Sequence, residues 1–475
     1  MPRLDSVQQA AVTSAAARLS IVAPAGSGKT SVLIQRIAWL VQARRAAAHQ
    51  ILVVTFARKA AHELRRRLVD AGYPAVAVRT FHAWALRLLQ GSHVVSGRLI
   101  LEAERRRLLW KIACRILTAP RTTRHARELC VQQNWSHPFL VRQLLESHQR
   151  LTQVGLTAAC NKLKTIAQQD SFAWLVVHLM QVYQTVLEHH GVTDFTHLIQ
   201  AAQQHGPFKT CQPQHVLIDE AQDAAAAELQ LIDTYCKMAD TQTWVGDPNQ
   251  SLYGWRGSAG TVPNGYGEGT TRLWQQLVLR TNYRSSATII ALVNRFLQRV
   301  EGLPILPTRG EGVVPECITY PRYGEDLLCL RVLAELLAKG FAQNEIVLLA
   351  RAHLPLAQLK RARIRYPKVR ALTVHAFKGL EARVVILLNV AQNRFGFPAR
   401  ASGEAYSAGP CGPLSAIDQL AGYDRVREER NIFYVALTRA RDRLVICVPQ
   451  GEPTPFTTGF TRRVVRRVTL ASTYP

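Results

Sequence analysis

Residues 23–30 read APAGSGKT, a glycine-rich turn closed by Lys29 and Thr30. The spacing is that of a phosphate loop with alanine in place of the first glycine. Ala25, Gly26, Ser27 and Gly28 let the backbone wrap an anion, Lys29 neutralises β and γ phosphate oxygens, and the Thr30 hydroxyl is suited to ligate Mg²⁺. An ordinary Gly/Ser turn with a solvated lysine is the alternative. A second stretch, HVLIDEAQD at residues 215–223, sets Asp219 and Glu220 directly after an apolar run. At the carboxyl end of a parallel strand, carboxylates face a nucleotide crevice. There Asp219 holds the Mg²⁺ complex and Glu220 orients and deprotonates the attacking water. The alternative is an acidic loop capping the next helix.

The surrounding elements suit that chemistry. Leu19, Ile21 and Val22 read as the end of a buried strand, and Val32, Leu33, Ile37 and Leu40 recur at helical spacing, so the glycines lie at a strand-to-helix turn. A helix N-terminus there offers unpaired N–H groups and a positive dipole end. Apolar runs at 19–22, 51–55, 216–218, 243–245, 346–349, 384–388 and 444–448 alternate with amphipathic helix patterns, which predicts α/β domains with parallel sheets. Residues 99–197 change to almost pure helix and read as an insertion. Loops rich in Gly, Pro and Ser fall at 257–270, 303–315 and 400–413, the last expected as a mobile surface loop, and 451–475 reads as a basic tail.

The 475 residues suffice for about two to four domains, and a 48% hydrophobic content excludes wholesale disorder. Lys and Arg outnumber Asp and Glu by 59 to 33, a net +26 that favours a polyanionic partner over a merely basic surface. Joined to a phosphate loop, that charge points to nucleic-acid-dependent NTPases, with ribosome factors and nucleotide kinases still open. Nine cysteines without a C-x-x-C pair argue for reduced thiols and against a zinc module. The opening MPRLDSVQQAAV lacks an apolar signal core and no run approaches 18 apolar residues, so a chain neither secreted nor membrane-spanning, and hence cytoplasmic, is expected.

The stretches APAGSGKT, VVTFARKAAHELRRR, RTFHAWALRLL, VLIDEAQD, VGDPNQSLYGWRGS, LRTNYRSS, TVHAFKGLE and EERNIFYVALTRARDRLVI occur in this order. Their types and order resemble the UvrD/Rep family of superfamily 1 DNA helicases, over about residues 4–448. The resemblance implies two RecA-like domains with ATP between them and single-stranded DNA across their top, translocated 3′ to 5′. It divides the chain into a first RecA-like domain (1–98 and 198–275), the helical insertion (99–197) and a second RecA-like domain (276–450), followed by the tail.

Residue by residue, the resemblance implies that Gln8 reads adenine, Tyr283 stacks on it and Glu381 contacts the ribose. Lys29, Thr30, Asp219 and Glu220 match the phosphate, Mg²⁺ and hydrolysis positions, and Gln250 matches a γ-phosphate sensor. Arg284 and Arg439 match the arginines that the second domain presents to the γ-phosphate, where charge spreads in the transition state. Outside their motifs, Arg284 reads equally well as a structural ion-pair partner and Arg439 as a helix-face charge. For DNA, Phe56 and Trp255 match base-stacking pockets and Thr80 and His82 the strand's path, with Phe81, Tyr253 and His375 beside them. Lone aromatics are more often core than platform. The chain departs from the family pattern at Ser31, Asn249, Phe377 and His197.

An ATP-driven helicase is the leading reading. A protein-displacing translocase and a nucleotide-gated DNA-binding module are the alternatives, and single-stranded DNA and duplex junctions are the expected partners. Only 21 residues, AHLPLAQLKRARIRYPKVRAL, separate EIVLLAR from TVHAFKGLE. That is far below the ~50 residues a small domain needs, so the accessory domain that larger members insert before TVHAFKGLE is expected to be absent. The basic connector is expected to be a solvated helix that could face a duplex.

Overall fold

Two parallel sheets organise the chain in a computed structural model that describes residues 3–43, 46–90, 98–120, 122–133, 135–154, 163, 170–204, 213–258, 260, 262–263, 265–266, 273–300, 302–322, 324–393, 395–399, 424–452 and 454–469. The first sheet runs in the order Ala77–Thr80, Ile51–Thr55, His215–Asp219, Thr241–Gly246, Arg18–Val22, Leu273–Val278 and Gly265–Tyr266; only the last pair is antiparallel. Ile51–Thr55 and His215–Asp219 are buried along their whole length, as parallel strands covered on both faces must be. Leu33, Ile37, Leu64 and Leu68 pack against one face, and Trp84, Leu88, Leu231 and Ile232 belong to a separate core cluster.

The second sheet is wholly parallel in the order Arg370–Thr373, Ile346–Ala350, Ala382–Leu387, Ala440–Pro449, Glu316–Tyr320 and Arg466–Thr469. Its two core clusters centre on Phe433, Phe397 and Phe296, and on Leu333, Leu348 and Tyr320. Fold class and all seven apolar runs agree with the sequence reading.

Two boundaries need correction. Leu273–Val278 pairs with Arg18–Val22 as one strand of the first sheet, so a division between 275 and 276 cuts through it. The expected basic tail is not free over its described part: Arg466–Thr469 pairs with Glu316–Tyr320, and Phe456, Phe460 and Val465 are buried. Their apolar side chains supply the energy that outweighs the exposed arginines around them. The segment 400–413, expected as a mobile surface loop, lies outside the described residues.

Glu102–Thr118, Thr123–Gln132, His137–Val154 and Ser171–His189 form a helical unit with its own core of Ile112, Leu140, Leu144, Phe172 and Val176. Asp194 anchors its exit. Its carboxylate accepts from Arg105 Nε at 3.1 Å and Tyr183 Oη at 2.9 Å, while the other oxygen takes the backbone N–H of His197 at 2.9 Å. The interval before Arg370–Thr373 holds two short helices, His353–Ala357 and Lys360–Arg365. Among the described residues no helix is long and apolar enough to cross a membrane.

Candidate functional site

The chemistry-bearing residues meet where the carboxyl ends of the first sheet's strands face the second sheet. Arg18–Val22 delivers the glycine turn to helix Lys29–Ala43. Gly26 and Gly28 take φ values of 76° and 80°, a left-handed backbone that glycine adopts without a side-chain clash. The turn is also closely walled: a Cβ on Gly26 would lie 2.8 Å from Arg284 Cβ, and one on Gly28 would lie 2.9 Å from Gln8 Nε2. The buried Ser27 hydroxyl has no hydrogen-bond partner among the described residues. A buried hydroxyl left unpaired beside a helix N-terminus fits a phosphate.

Gln8 sits against this turn. Its backbone N–H donates to Asp5 Oδ1 at 2.7 Å, its Oε1 accepts from the Asp5 N–H at 3.0 Å, and its Nε2 donates to Ser27 O at 2.9 Å. Tyr283 is half-exposed beside it, with its hydroxyl donating to Asp5 Oδ2 at 2.7 Å and its N–H to Gly26 O at 2.9 Å. Adenine-facing expectations for Gln8 and Tyr283 therefore fall on neighbours.

Asp219 ends its strand and Glu220 follows at φ 52°. A left-handed non-glycine residue costs on the order of 1–3 kcal/mol and is a mark of a functional site. Glu220 Oε2 lies 3.8 Å from Lys29 Nζ and accepts from Gln222 Nε2 at 2.6 Å. Burial raises the Asp219 carboxyl well above its ordinary range, with the charge of Glu220 adding to the push. Burial opposes ionisation of Glu220 too, but Lys29 and Lys378 outweigh it and hold Glu220 low. Glu220 is thus an ionised acceptor, while Asp219 is a crowded carboxylate whose charge a divalent cation would relieve. Thr30 lies in the first turn of the loop helix, and its hydroxyl is an oxygen donor of the kind Mg²⁺ takes.

Two arginines reach this face from the second sheet's side: Arg284 follows the short strand Thr281–Asn282, which pairs with Leu306–Pro307, and Arg439 directly precedes the strand Ala440–Pro449. Arg284 Nε donates to Glu381 Oε2 at 2.6 Å and its Nη1 to Thr438 O at 3.2 Å. Glu381 also pairs with Arg441 at 3.5 Å, so the carboxylate expected at a ribose is engaged by two arginines here. Arg439 is buried, with Nη2 donating to Gln250 Oε1 at 3.2 Å. Gln250 in turn donates from Nε2 to Asp247 Oδ2 at 2.7 Å, and Tyr434 Oη donates to the same oxygen at 3.2 Å. Asn431 Nδ2 adds bonds to Pro248 O and Ser251 O at 3.1 and 3.0 Å. A continuous polar chain therefore joins the two sheets through Gln250.

Phe56 and Tyr253 stack with ring centroids 4.9 Å apart, and His375 lies 6.4 Å from Tyr253. The Arg256 guanidinium sits 5.5 Å from the Phe56 ring and 5.7 Å from Trp255. These form one aromatic row. Phe81 does not join it: at 1% exposure it packs with Trp84 and Leu88 in the core, because the first turn of helix Phe81–Leu89 points it inward. Thr80 is the N-cap of that helix, its hydroxyl accepting from Ala83 N at 3.3 Å. His82 stands 4.0 Å from Glu228 and against Phe195; burial, with Arg256 beside it, pushes its pKa down to about 4. Burial with Arg351 and Lys378 likewise brings His375 to about 4.

Sequence reasoning missed Lys378 and Asp223, although both lie within quoted motifs. They form a buried ion pair, and Lys378 Nζ also donates to Gln250 O at 2.7 Å and lies 5.0 Å from the Tyr253 ring. One ammonium thus touches the carboxylate segment, the Gln250 loop and the aromatic row. A lysine and an aspartate 155 residues apart carry no signal of pairing in one sequence. Arg256 was signalled only by its position next to Trp255.

The chain matches the UvrD/REP helicase N-terminal domain over residues 4–262 and the UvrD-like helicase C-terminal domain over residues 330–451. DNA helicase IV of Escherichia coli is similar at 30% identity, across 95% of this chain and 69% of that protein. DNA helicase II of the same organism is 29% identical across 63% of this chain, which spans only 41% of its length. A probable DNA helicase of Mycoplasma pneumoniae is 23% identical across 94% of this chain and 83% of its own length.

Proposed function

Because the chain belongs to the UvrD/Rep helicase family, and is by that membership an ATP-dependent DNA helicase, we propose that it moves 3′ to 5′ on single-stranded DNA and couples ATP hydrolysis to duplex unwinding. The observation that carries this reading is the polar chain Arg439–Gln250–Asp247 together with Lys378, which bonds Asp223 and Gln250 O beneath Tyr253. It connects the hydrolytic carboxylates to the aromatic row across the gap between the sheets.

In this reading the phosphates lie on the N–H groups of the 25–30 turn, with Lys29 on their terminal oxygens and Gln8 and Tyr283 at adenine. Mg²⁺ bound with the nucleotide neutralises charge on the β and γ oxygens, and Thr30 and Asp219 would hold it. Glu220 orients the attacking water and accepts its proton. Arg284 and Arg439 come from the second sheet's side, so they serve the γ-phosphate only while the two sides stand together, as they do where Arg284 walls Gly26 and Arg439 bonds Gln250. Phe56, Tyr253, Trp255 and His375 take bases by stacking, at about 1–3 kcal/mol per base, with Thr80 and His82 along the strand's path. Such a motor works in the cytoplasm beside the nucleoid.

Translocation with only weak unwinding is a second reading, favoured by the two short helices that alone occupy the interval before Arg370–Thr373. Strand displacement on 3′-tailed, 5′-tailed and blunt duplexes tests both. Displacement of the 3′-tailed substrate alone supports the first reading. ATP-dependent movement on single strands without displacement selects the second, and preference for a 5′ tail contradicts the polarity.

A further inference from the structure

The helix Lys360–Arg365 and the turn after it carry Lys360, Arg361, Arg363, Arg365, Lys368 and Arg370, all exposed. Leu359, Ala362 and Tyr366 turn inward and fix the segment to the core beside Leu333 and Leu348, so the cations occupy the outer face of a firmly seated element. Among the described residues none of the six forms an ion pair, whereas Arg284, Arg309, Arg351, Arg383 and Arg443 around the same sheet each bind a carboxylate. Asp326 faces the helix, but its two oxygens accept the backbone N–H groups of Arg361 and Ala362 at 3.0 and 2.9 Å. Six cations in eleven residues without acidic partners repel one another, and a polyanion removes that cost.

We infer that this face is a docking surface for the phosphate backbone of double-stranded DNA. Single strands are held by stacking as well as charge, and this face offers no aromatic plane: Tyr366 is buried with Arg365 packed 5.8 Å from its ring, and the exposed apolar side chain is Ile364. Unaccompanied point charges suit a partner whose bases are turned inward, because phosphate contacts position without reading sequence. The patch also reaches the strand site. The Arg370 guanidinium lies 5.4 Å from the ring of Phe377, which stands between His375 and Lys378 on the loop that touches Tyr253. A duplex held here would enter beside the aromatic row. The inference rests on the helicase reading and adds where the duplex arm lies.

The test compares the 475-residue chain with its variant Lys360→Gln, Arg361→Gln, Arg363→Gln, Arg365→Gln. Fluorescence anisotropy over a salt series, on a 3′-tailed duplex and on the tail strand alone, gives both affinity and its salt slope. The tailed duplex should bind at least about tenfold more weakly, and its log–log salt slope should shrink by up to about 3.6, near 0.9 for each of the four lost phosphate contacts. Single-strand binding should change by less than about threefold. A variant with Arg361→Lys, Arg363→Lys, Arg365→Lys should bind the duplex like the wild type, since charge and not shape is at issue. Equal losses on both DNAs, or no loss on the duplex, would overturn the assignment. ATPase stimulated by single strands is read in parallel; its absence in the wild type counts against the helicase reading, not against the patch.

Discussion

Replacing Arg439 with alanine separates two tasks of one guanidinium. The side chain is buried and donates from Nε to Val435 O at 2.9 Å, from Nη1 to Leu380 O at 3.3 Å and from Nη2 to Gln250 Oε1 at 3.2 Å. Nη2 also donates to Thr438 Oγ1 at 3.1 Å, and Val435 O keeps a bond from the Thr438 hydroxyl, so truncation leaves Leu380 O, Gln250 Oε1 and Thr438 Oγ1 short of a donor. At about 1 kcal/mol each, the low end for buried unsatisfied groups, the loss is about 3 kcal/mol, or roughly 6–12 °C in Tm. The catalytic loss should be larger, on the order of 10³–10⁵ in kcat if the group meets the γ-phosphate in the transition state. Arg439→Lys distinguishes the two. Burial, with Arg284 beside it, pushes the Arg439 pKa down to about 9, so the native group stays charged at neutral pH. A lysine starts from an ordinary value of about 10.4, and the same push lets it lose its proton as pH rises through the neutral range. The kcat of Arg439→Lys should therefore fall with rising pH where the wild type is flat. Steady-state ATPase with saturating single strand, well below each variant's Tm, is the assay. An alanine variant with kcat within tenfold of the wild type would refute the catalytic role and leave Arg439 as a structural tie.

Glu220→Gln should retain nucleotide binding by fluorescence titration while losing turnover, because it keeps the shape at the left-handed turn but cannot accept the water's proton; unchanged kcat would remove Glu220 from the chemistry. Trp255→Ala should weaken single-strand binding by about 1–3 kcal/mol with its salt slope unchanged, whereas Phe81→Ala should cost about 3–5 kcal/mol of stability through its core position. Titration and melting that showed the reverse assignment would contradict the placement of both rings. Burial pushes the Glu228 carboxyl up to about 7, so the folded protein binds this proton more tightly than the unfolded chain. The resulting stability is complete below about 4.5 and is lost as pH rises through about 7, by at most about 3 kcal/mol. Glu228→Gln should flatten the fall in Tm between about pH 4.5 and 7; an identical fall would show that Glu228 is not its source.

The parallel-strand runs were legible because burial on both faces writes them as unbroken apolar segments, as in ILVVT at 51–55 and HVLID at 215–219. Leu273–Val278, reading LWQQLV, escaped because the exposed pair Gln275 and Gln276 interrupts its apolar run, and Arg466–Thr469 escaped because an edge strand opening on two arginines resembles a tail. The glycine turn, Asp219 and Glu220 were legible because their chemistry is local in sequence. Phe81 was ambiguous because a motif position does not say which way a helix's first turn faces. Lys378 with Asp223 depends on segments brought together by the packing of one sheet against the other, and Glu381 with Arg284 on segments 97 residues apart that meet on the second sheet's side.

The central claim is that strand binding at the aromatic row and hydrolysis at Glu220 are linked through Gln250 and Lys378. ATP hydrolysis by the purified protein, measured with and without single-stranded DNA at saturating nucleotide, tests it most directly. Strong stimulation by the strand is the expected result, because Arg284 and Arg439 serve the γ-phosphate only while the two sides stand together. Hydrolysis at the same rate without nucleic acid would contradict it.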